Sequence, residues 1–243
     1  TGERKRKAAG KEAVRGLFHM QEQVSVTGMI LKAEPVGEYD RRVVILTKER
    51  GKLTAFARGA RKQGSRLLAA TAPFCFGKFQ LYEGRSAYSM GEAVISNYFE
   101  GLREDFEQAC FGMYFLEVMD YYTRENNDEK EMLKLLYQTL RAIQHKGLSH
   151  LLVRYIFEIK ALALNGEYPG LPGKEEDYLP STVFALSYIV NTTIEKLYTF
   201  TVTEEVLREL SFIAGNYQKR FIDRKLKSLE ILDQLFPEMF VEK

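Results

Sequence analysis

RRVVILTKERGKLTAFARGARKQGSR, residues 41–66, holds two strand-like runs, the turn between them and a basic loop. Residues 41–46 (RRVVIL) are a short apolar run, and residues 47–51 (TKERG) read as a tight turn. Residues 52–58 (KLTAFAR) alternate, with Leu53, Ala55 and Ala57 on one side and Lys52, Thr54, Phe56 and Arg58 on the other. A period of two is the signature of a strand with one buried face. Residues 59–66 (GARKQGSR) are a polar loop.

The same grammar extends on both sides. Upstream, residues 24–32 (VSVTGMILK) mix β-branched and apolar residues, and residues 34–40 supply Pro35 and Gly37 for a loop. Downstream, residues 74–82 (FCFGKFQLY) meet residues 86–95 across Glu83-Gly84-Arg85, a hairpin signal. Five strands in roughly 70 residues is the size of a small closed barrel. An OB-type barrel is the first reading; an SH3-like barrel fits the same pattern.

After Leu102 the period becomes helical. Residues 103–122 place Phe106, Ala109, Cys110, Met113 and Leu116 at three- and four-residue spacing. Asp128 is positioned to cap a helix carrying Met132, Leu133, Leu136, Leu140 and Ile143, and Ser149 precedes another that closes at Asn165-Gly166. Residues 166–180 (GEYPGLPGKEEDYLP) read as a loop, followed by helices at about 181–191, about 204–222 and through Leu226, Leu229, Leu232 and Leu235. The expected architecture is α+β and multidomain: an OB-fold β-barrel over residues 20–98, then an all-α bundle with its own core over 99–243. Residues 1–19, with Arg4-Lys5-Arg6-Lys7 and no apolar h-region, are expected to be a flexible basic extension outside the fold.

Composition narrows the function. The 243 residues are 45% hydrophobic and 28% charged, which argues against global disorder. No apolar run approaches the ~20 residues of a membrane-spanning helix. Cys75 and Cys110 each sit in apolar stretches, so reduced buried thiols and a cytoplasmic location are expected. With three histidines (His19, His145, His150) they cannot complete a four-ligand zinc site without carboxylates. The net charge of +2 conceals an asymmetry. Residues 1–86 carry 18 Lys or Arg against 8 Asp or Glu, hence +10, and residues 87–243 carry 17 against 25, hence −8. A basic barrel joined to an acidic bundle suggests a polyanion-binding module joined to something with another job.

The strongest constellation is Arg41, Arg42, Lys48, Arg50, Lys52, Arg58, Arg61, Lys62 and Arg66, on strand ends and turns where an OB surface meets a nucleic-acid backbone. Tyr39, Phe56, Phe79 and Tyr88 could offer stacking surfaces, or fill the barrel core. Gly59-x4-Gly64-Ser65 lacks the lysine of a phosphate-binding loop, so no Walker-type nucleotide site follows. Glu117 with Asp120, and Glu175-Glu176-Asp177, are carboxylate groups without a partnering histidine at metal spacing, and His145 and His150 flank a helix–helix turn. The residues support no catalytic site, no metal and no cofactor.

One resemblance is more specific. Gly37-Glu38-Tyr39-Asp40, then residues 46–53 (LTKERGKL), then residues 57–62 (ARGARK) with Ser65-Arg66 and Pro73-Phe74, resemble the RecO family, as does Lys225-Leu226-Lys227-Ser228-Leu229-x-x-Leu232 near the carboxy terminus. The resemblance runs from Met20 to about Leu235. It implies an OB fold, a helical domain, no enzymatic activity, and binding to single- and double-stranded DNA. It further implies partnership with RecR and single-strand-binding protein, indirect action on RecA, strand annealing, and a nucleoid-associated place in bacterial DNA repair. Many members carry a four-cysteine zinc site after a Gly-x-x-Pro turn. Gly166-Glu167-Tyr168-Pro169 keeps that turn, but residues 170–180 contain no cysteine, so the loop is expected to be held by Tyr168, Leu171 and Tyr178. Two other classes stay open: a protein-interaction adaptor whose barrel never contacts nucleic acid, and a nuclease using Glu117 and Asp120.

Overall fold

The computed structural model describes residues 22–237; the expected extension at residues 1–19 lies outside them. Five strands, β1 (Gln23–Val36), β2 (Asp40–Thr47), β3 (Gly51–Ala57), β4 (Phe76–Tyr82) and β5 (Tyr88–Asn97), close into a barrel in the order β1-β2-β3-β5-β4. Antiparallel β1 pairs with both β2 and β4, and β3 closes on β5 in parallel through Ala55–Tyr88 and Phe56–Ser89. A short helix, α1 (Leu67–Ala70), fills the β3–β4 connection. This is an OB barrel. The alternation in β3 lies as the sequence indicates: Leu53, Ala55 and Ala57 are buried among Val26, Ile30, Val43, Ile45, Phe79 and Leu81. Phe79 and Tyr88 belong to this core, so neither is a stacking surface.

Among the described residues seven α-helices follow: α2 (Glu100–Glu104), α3 (Phe106–Tyr122), α4 (Lys130–Ala142), α5 (His150–Leu164), α6 (Pro180–Asn191), α7 (Glu204–Phe221) and α8 (Lys227–Leu235). The single helix expected over 103–122 is broken. Asp105 adopts an extended conformation, and its carboxylate accepts from Gln108 N at 3.0 Å, starting α3 afresh. The bundle core is not private to the helices. Met29, Leu31 and Leu46 from the outer face of the barrel join Phe111, Phe115, Leu136 and Phe157 in one buried cluster. Phe74 makes the junction tighter: its backbone is left-handed (φ 72°), and a Cβ at Gly112 of α3 would come within 2.9 Å of its ring. That conformation costs about 1–2 kcal/mol, which burial of the ring at roughly 1.5–3 kcal/mol offsets.

Polar side chains join the two halves as well. Asp120 of α3 accepts from Lys32 of β1 at 2.6 Å and from Lys52 of β3 at 3.2 Å, with Arg224 at 3.5 Å. Burial pushes its carboxyl upward, but the Lys32 hydrogen bond and the Lys52 charge outweigh that and hold it below the usual carboxylate value. Glu117, one turn earlier, accepts from Ser228 N at 2.8 Å and Lys227 N at 3.2 Å, capping α8. The carboxylate pair considered for catalysis is thus occupied in joining barrel, α3 and α8. His150 pairs with Glu107 of α3, and His145 accepts from Gly147 N at 3.2 Å.

The 166–180 loop is held by tyrosines. Tyr217 of α7 donates to Gly170 O at 2.7 Å and meets the Tyr168 ring edge-on at 6.0 Å, while Tyr178 donates to Pro172 O at 2.5 Å. Tyr168, Leu171 and Tyr178 pack on the bundle core, as anticipated; the Tyr217 clasp was not. Among the described residues no three His, Cys, Asp or Glu side chains converge as a metal site, and no helix is long and apolar enough to cross a membrane.

Candidate nucleic-acid interface

The nine cations singled out in the sequence fall at two ends of the barrel. β2 and β3 are antiparallel, so the 48–50 turn lies one strand length, about 20 Å, from the end of β3 at Ala57.

At the bundle end the cations are largely engaged. Lys52 is drawn into Asp120, donating also to its backbone carbonyl at 2.5 Å. Arg50 donates to Tyr88 Oη at 3.1 Å and stands 3.7 Å from Glu83. The Tyr88 hydrogen bond, ahead of the surrounding charges, raises its already high pKa further. Arg41 and Arg42 lie at the other end, opposite Ala57 and Phe56, and are engaged as well: Arg41 donates to Leu68 O at 2.8 Å and Thr71 Oγ1 at 3.0 Å, tying β2 to α1, and Arg42 pairs with Glu34 at 2.6 Å. Lys48 is exposed and forms no ion pair among the described residues.

The opposite end is built differently. The 58–66 loop is stapled to the β1–β2 turn: Arg61 N donates to Tyr39 O at 2.8 Å, Gly59 N to Asp40 Oδ1 at 2.7 Å, and Arg61 Nη1 to Gly37 O at 3.2 Å. Lys62 Nζ lies 5.4 Å from the centre of the exposed Tyr39 ring. Arg58, Arg61, Lys62 and Arg66 are therefore exposed side chains on an ordered backbone, free of carboxylate partners among the described residues. Beside them opens a polar cleft of about 350 Å³, lined by Asp40, Phe56, Arg58, Arg85, Ser86 and Ser89 among others.

Arg85 was missed from sequence. It sits in the β4–β5 turn, remote in the chain from the basic stretch, and only the parallel closure of β3 on β5 brings it to Arg58. Of the four aromatics considered for stacking, Tyr39 is exposed at this end and Phe56 faces the cleft. Strands 2 and 3 with the β1–β2 and β4–β5 loops are the surface on which OB barrels take oligonucleotides. Here the half of that surface nearer the bundle, at Val44 and Leu46, is covered by helices, and the half at Phe56 is open.

Family comparison meets this geometry. Residues 20–99 match the model described as "Recombination protein O N terminal", and residues 103–173 match "Recombination protein O C terminal". The chain belongs to the RecO family. Among its relatives is "DNA repair protein RecO" of Clostridium perfringens (strain 13), 29% identical over 234 residues that cover 84% of this chain and 95% of that protein. A protein of the same name from Acetivibrio thermocellus is 25% identical, covering 87% and 97%. One from Alkaliphilus metalliredigens is 32% identical over 148 residues, 61% of this chain and 60% of the relative. The first RecO model spans the whole barrel, the 58–66 loop and Arg85 included.

Proposed function

We propose that this RecO-family chain acts in DNA repair and recombination by binding DNA on the Tyr39–Arg58–Arg85 end of its barrel, without an active site. The observation that carries the reading is the ordered 58–66 loop, which presents cations beside a polar cleft on the open half of an OB face. Pinned cations lose little conformational freedom when they meet phosphate, and each phosphate neutralised releases counterions. Arg58, Arg61, Lys62, Arg66 and Arg85 are the proposed phosphate contacts, with Tyr39 and Phe56 as stacking surfaces. Arg42 and Lys48 are secondary contacts in this reading, whereas Arg41, Arg50 and Lys52 are given to the fold.

Cation binding along one strand lowers its repulsion toward a complement, which gives single- and double-strand binding and annealing from a single surface. RecR, single-strand-binding protein and, indirectly, RecA are the proposed partners, received in part by the helical half, and the activity is proposed as bacterial and cytoplasmic. The direct test is annealing of complementary oligonucleotides coated with single-strand-binding protein. ATP-independent annealing supports the reading, and its absence together with salt-independent DNA binding favours an adaptor whose barrel never touches nucleic acid.

A further inference from the structure

On the acidic helical half, α6, the first turn of α7 and the segment before it enclose a groove of about 530 Å³. Its floor is Ala185 and Val206, and its walls are Phe184, Tyr188, Phe200 and Val202. Phe184 is 72% exposed although its ring stacks on Tyr188, which in turn meets Phe200 edge-on at 5.2 Å. Tyr188 is fixed by donating to Lys196 O at 3.1 Å. The wall is therefore a braced aromatic ridge facing solvent.

The segment alongside it is extended and has spare hydrogen-bonding capacity. The N–H groups of Phe200, Thr201, Val202 and Thr203 have no partner among the described residues, and of their carbonyls only that of Thr203 is used, by Leu207 N. Phe200 and Val202 are half-buried while Thr201 and Thr203 are exposed, the alternation of a strand edge without a neighbour. An unpaired edge beside apolar pockets is how proteins take up an extended peptide as an added strand.

Charge selects the occupant. None of the residues lining the groove is charged, and the segment runs directly into α7, whose first six residues carry Glu204, Glu205 and Glu209 against Arg208, with Lys196 beside Tyr188, a small acidic surplus. Backbone hydrogen bonding, then the Thr203 hydroxyl, holds the Glu205 carboxyl below its usual value, so it is ionised at neutral pH. A polyanion is disfavoured here.

We propose that residues 200–203 form a docking edge for an extended protein segment that alternates apolar residues and carries Lys or Arg where it abuts Glu204 and Glu205. The site is separate from the barrel and stands independently of its nucleic-acid reading.

The test is selection of a random dodecapeptide library, displayed on phage, against the intact protein. Enriched peptides are expected to alternate apolar residues, carry a basic end, and bind at least tenfold more weakly to Phe184→Ser, an exposed substitution that leaves the melting temperature unchanged. Reversing Glu204 and Glu205 to Lys is expected to weaken binding several-fold at low salt. N-methylating alternate amides of a selected peptide is expected to abolish binding in one register and spare it in the other. No enrichment, enrichment of Asp- and Glu-rich peptides, equal binding to Phe184→Ser, or indifference to N-methylation in both registers would overturn the proposal. So would loss of thirty-nucleotide oligo(dT) binding on Phe184→Ser, which would make the ridge a base-stacking face instead.

Discussion

Lys52 of the third barrel strand reaches Asp120 of the first long helix twice, through its carboxylate at 3.2 Å and its backbone carbonyl at 2.5 Å. A lysine that reads in sequence as part of a nucleic-acid surface is thereby a clamp between barrel and bundle. Asp120 is mostly buried and also holds Lys32, so its loss leaves two lysines and Arg224 crowded without a counter-charge.

Asp120→Asn is expected to lower the unfolding free energy by about 1–2 kcal/mol at pH 7, the scale of charge-assisted hydrogen bonds in a partly exposed setting. Because the folded carboxyl is held below its unfolded value, near 3.9, this stabilisation is complete above that value and disappears as pH falls through the folded one. Urea titrations of both proteins at pH 7 and below pH 4 check it: the gap should close in acid. A gap that is constant with pH would mean that the ion pairs are not its source.

Gly51 sits at the same joint with φ +65°, and a Cβ there would lie 2.4 Å from Arg124 O. It is flanked by Lys52 N donating to Arg124 O at 2.9 Å and Asn126 N to Arg50 O at 3.1 Å. Gly51→Ala is expected to cost more than the ~1–2 kcal/mol of the left-handed conformation alone, because backbone must also move. The melting temperature reads this directly; an unchanged value would show that the joint yields without cost.

The tyrosine clasp gives a third expectation. Tyr217→Phe removes the hydrogen bond to Gly170 O while keeping the ring against Tyr168, so stability should fall by about 1 kcal/mol. The loss should be local: proteolytic cleavage within residues 166–178 accelerates, while cleavage elsewhere does not. The same clasp can hold the loop by itself, so purified protein without a histidine tag is expected to carry no tightly bound zinc, and a chelator to leave its melting temperature unchanged. One zinc per chain, lost with stability on chelation, would contradict this.

Much of the fold was legible because periodicity reports burial. The alternation of Lys52–Arg58 and the three- and four-residue spacing of Leu133, Leu136 and Leu140 each reflect one buried face. What was not legible depends on contacts remote in sequence. Lys52 and Arg58 look alike in the chain, and only the packing of α3 against the barrel distinguishes the clamp from the exposed cation. Arg85 stands alone in its turn until β3 and β5 close in parallel. Phe79 and Tyr88 alternate as a barrel interior requires, but the inward face could be assigned only once strand pairing was known.

The division of cations predicts unequal mutants. Arg41→Ala and Lys52→Ala should lower stability and leave DNA affinity within about twofold once folded protein is compared. Arg58/Arg61/Arg66→Ala should do the reverse. Removal of residues 1–19 should weaken binding less than the triple substitution, because the pinned loop loses little conformational entropy on binding.

The most direct measurement is the salt dependence of binding to a single-stranded oligonucleotide, for the parent and for Arg58/Arg61/Arg66→Ala. Five phosphate contacts on a single strand predict a slope of log K against log salt of about −3 to −4 for the parent. Removing three should bring it to about −1 to −2, with melting temperature unchanged. Equal slopes for the two proteins, or a parent slope near zero, would contradict the assignment of this end of the barrel to nucleic acid.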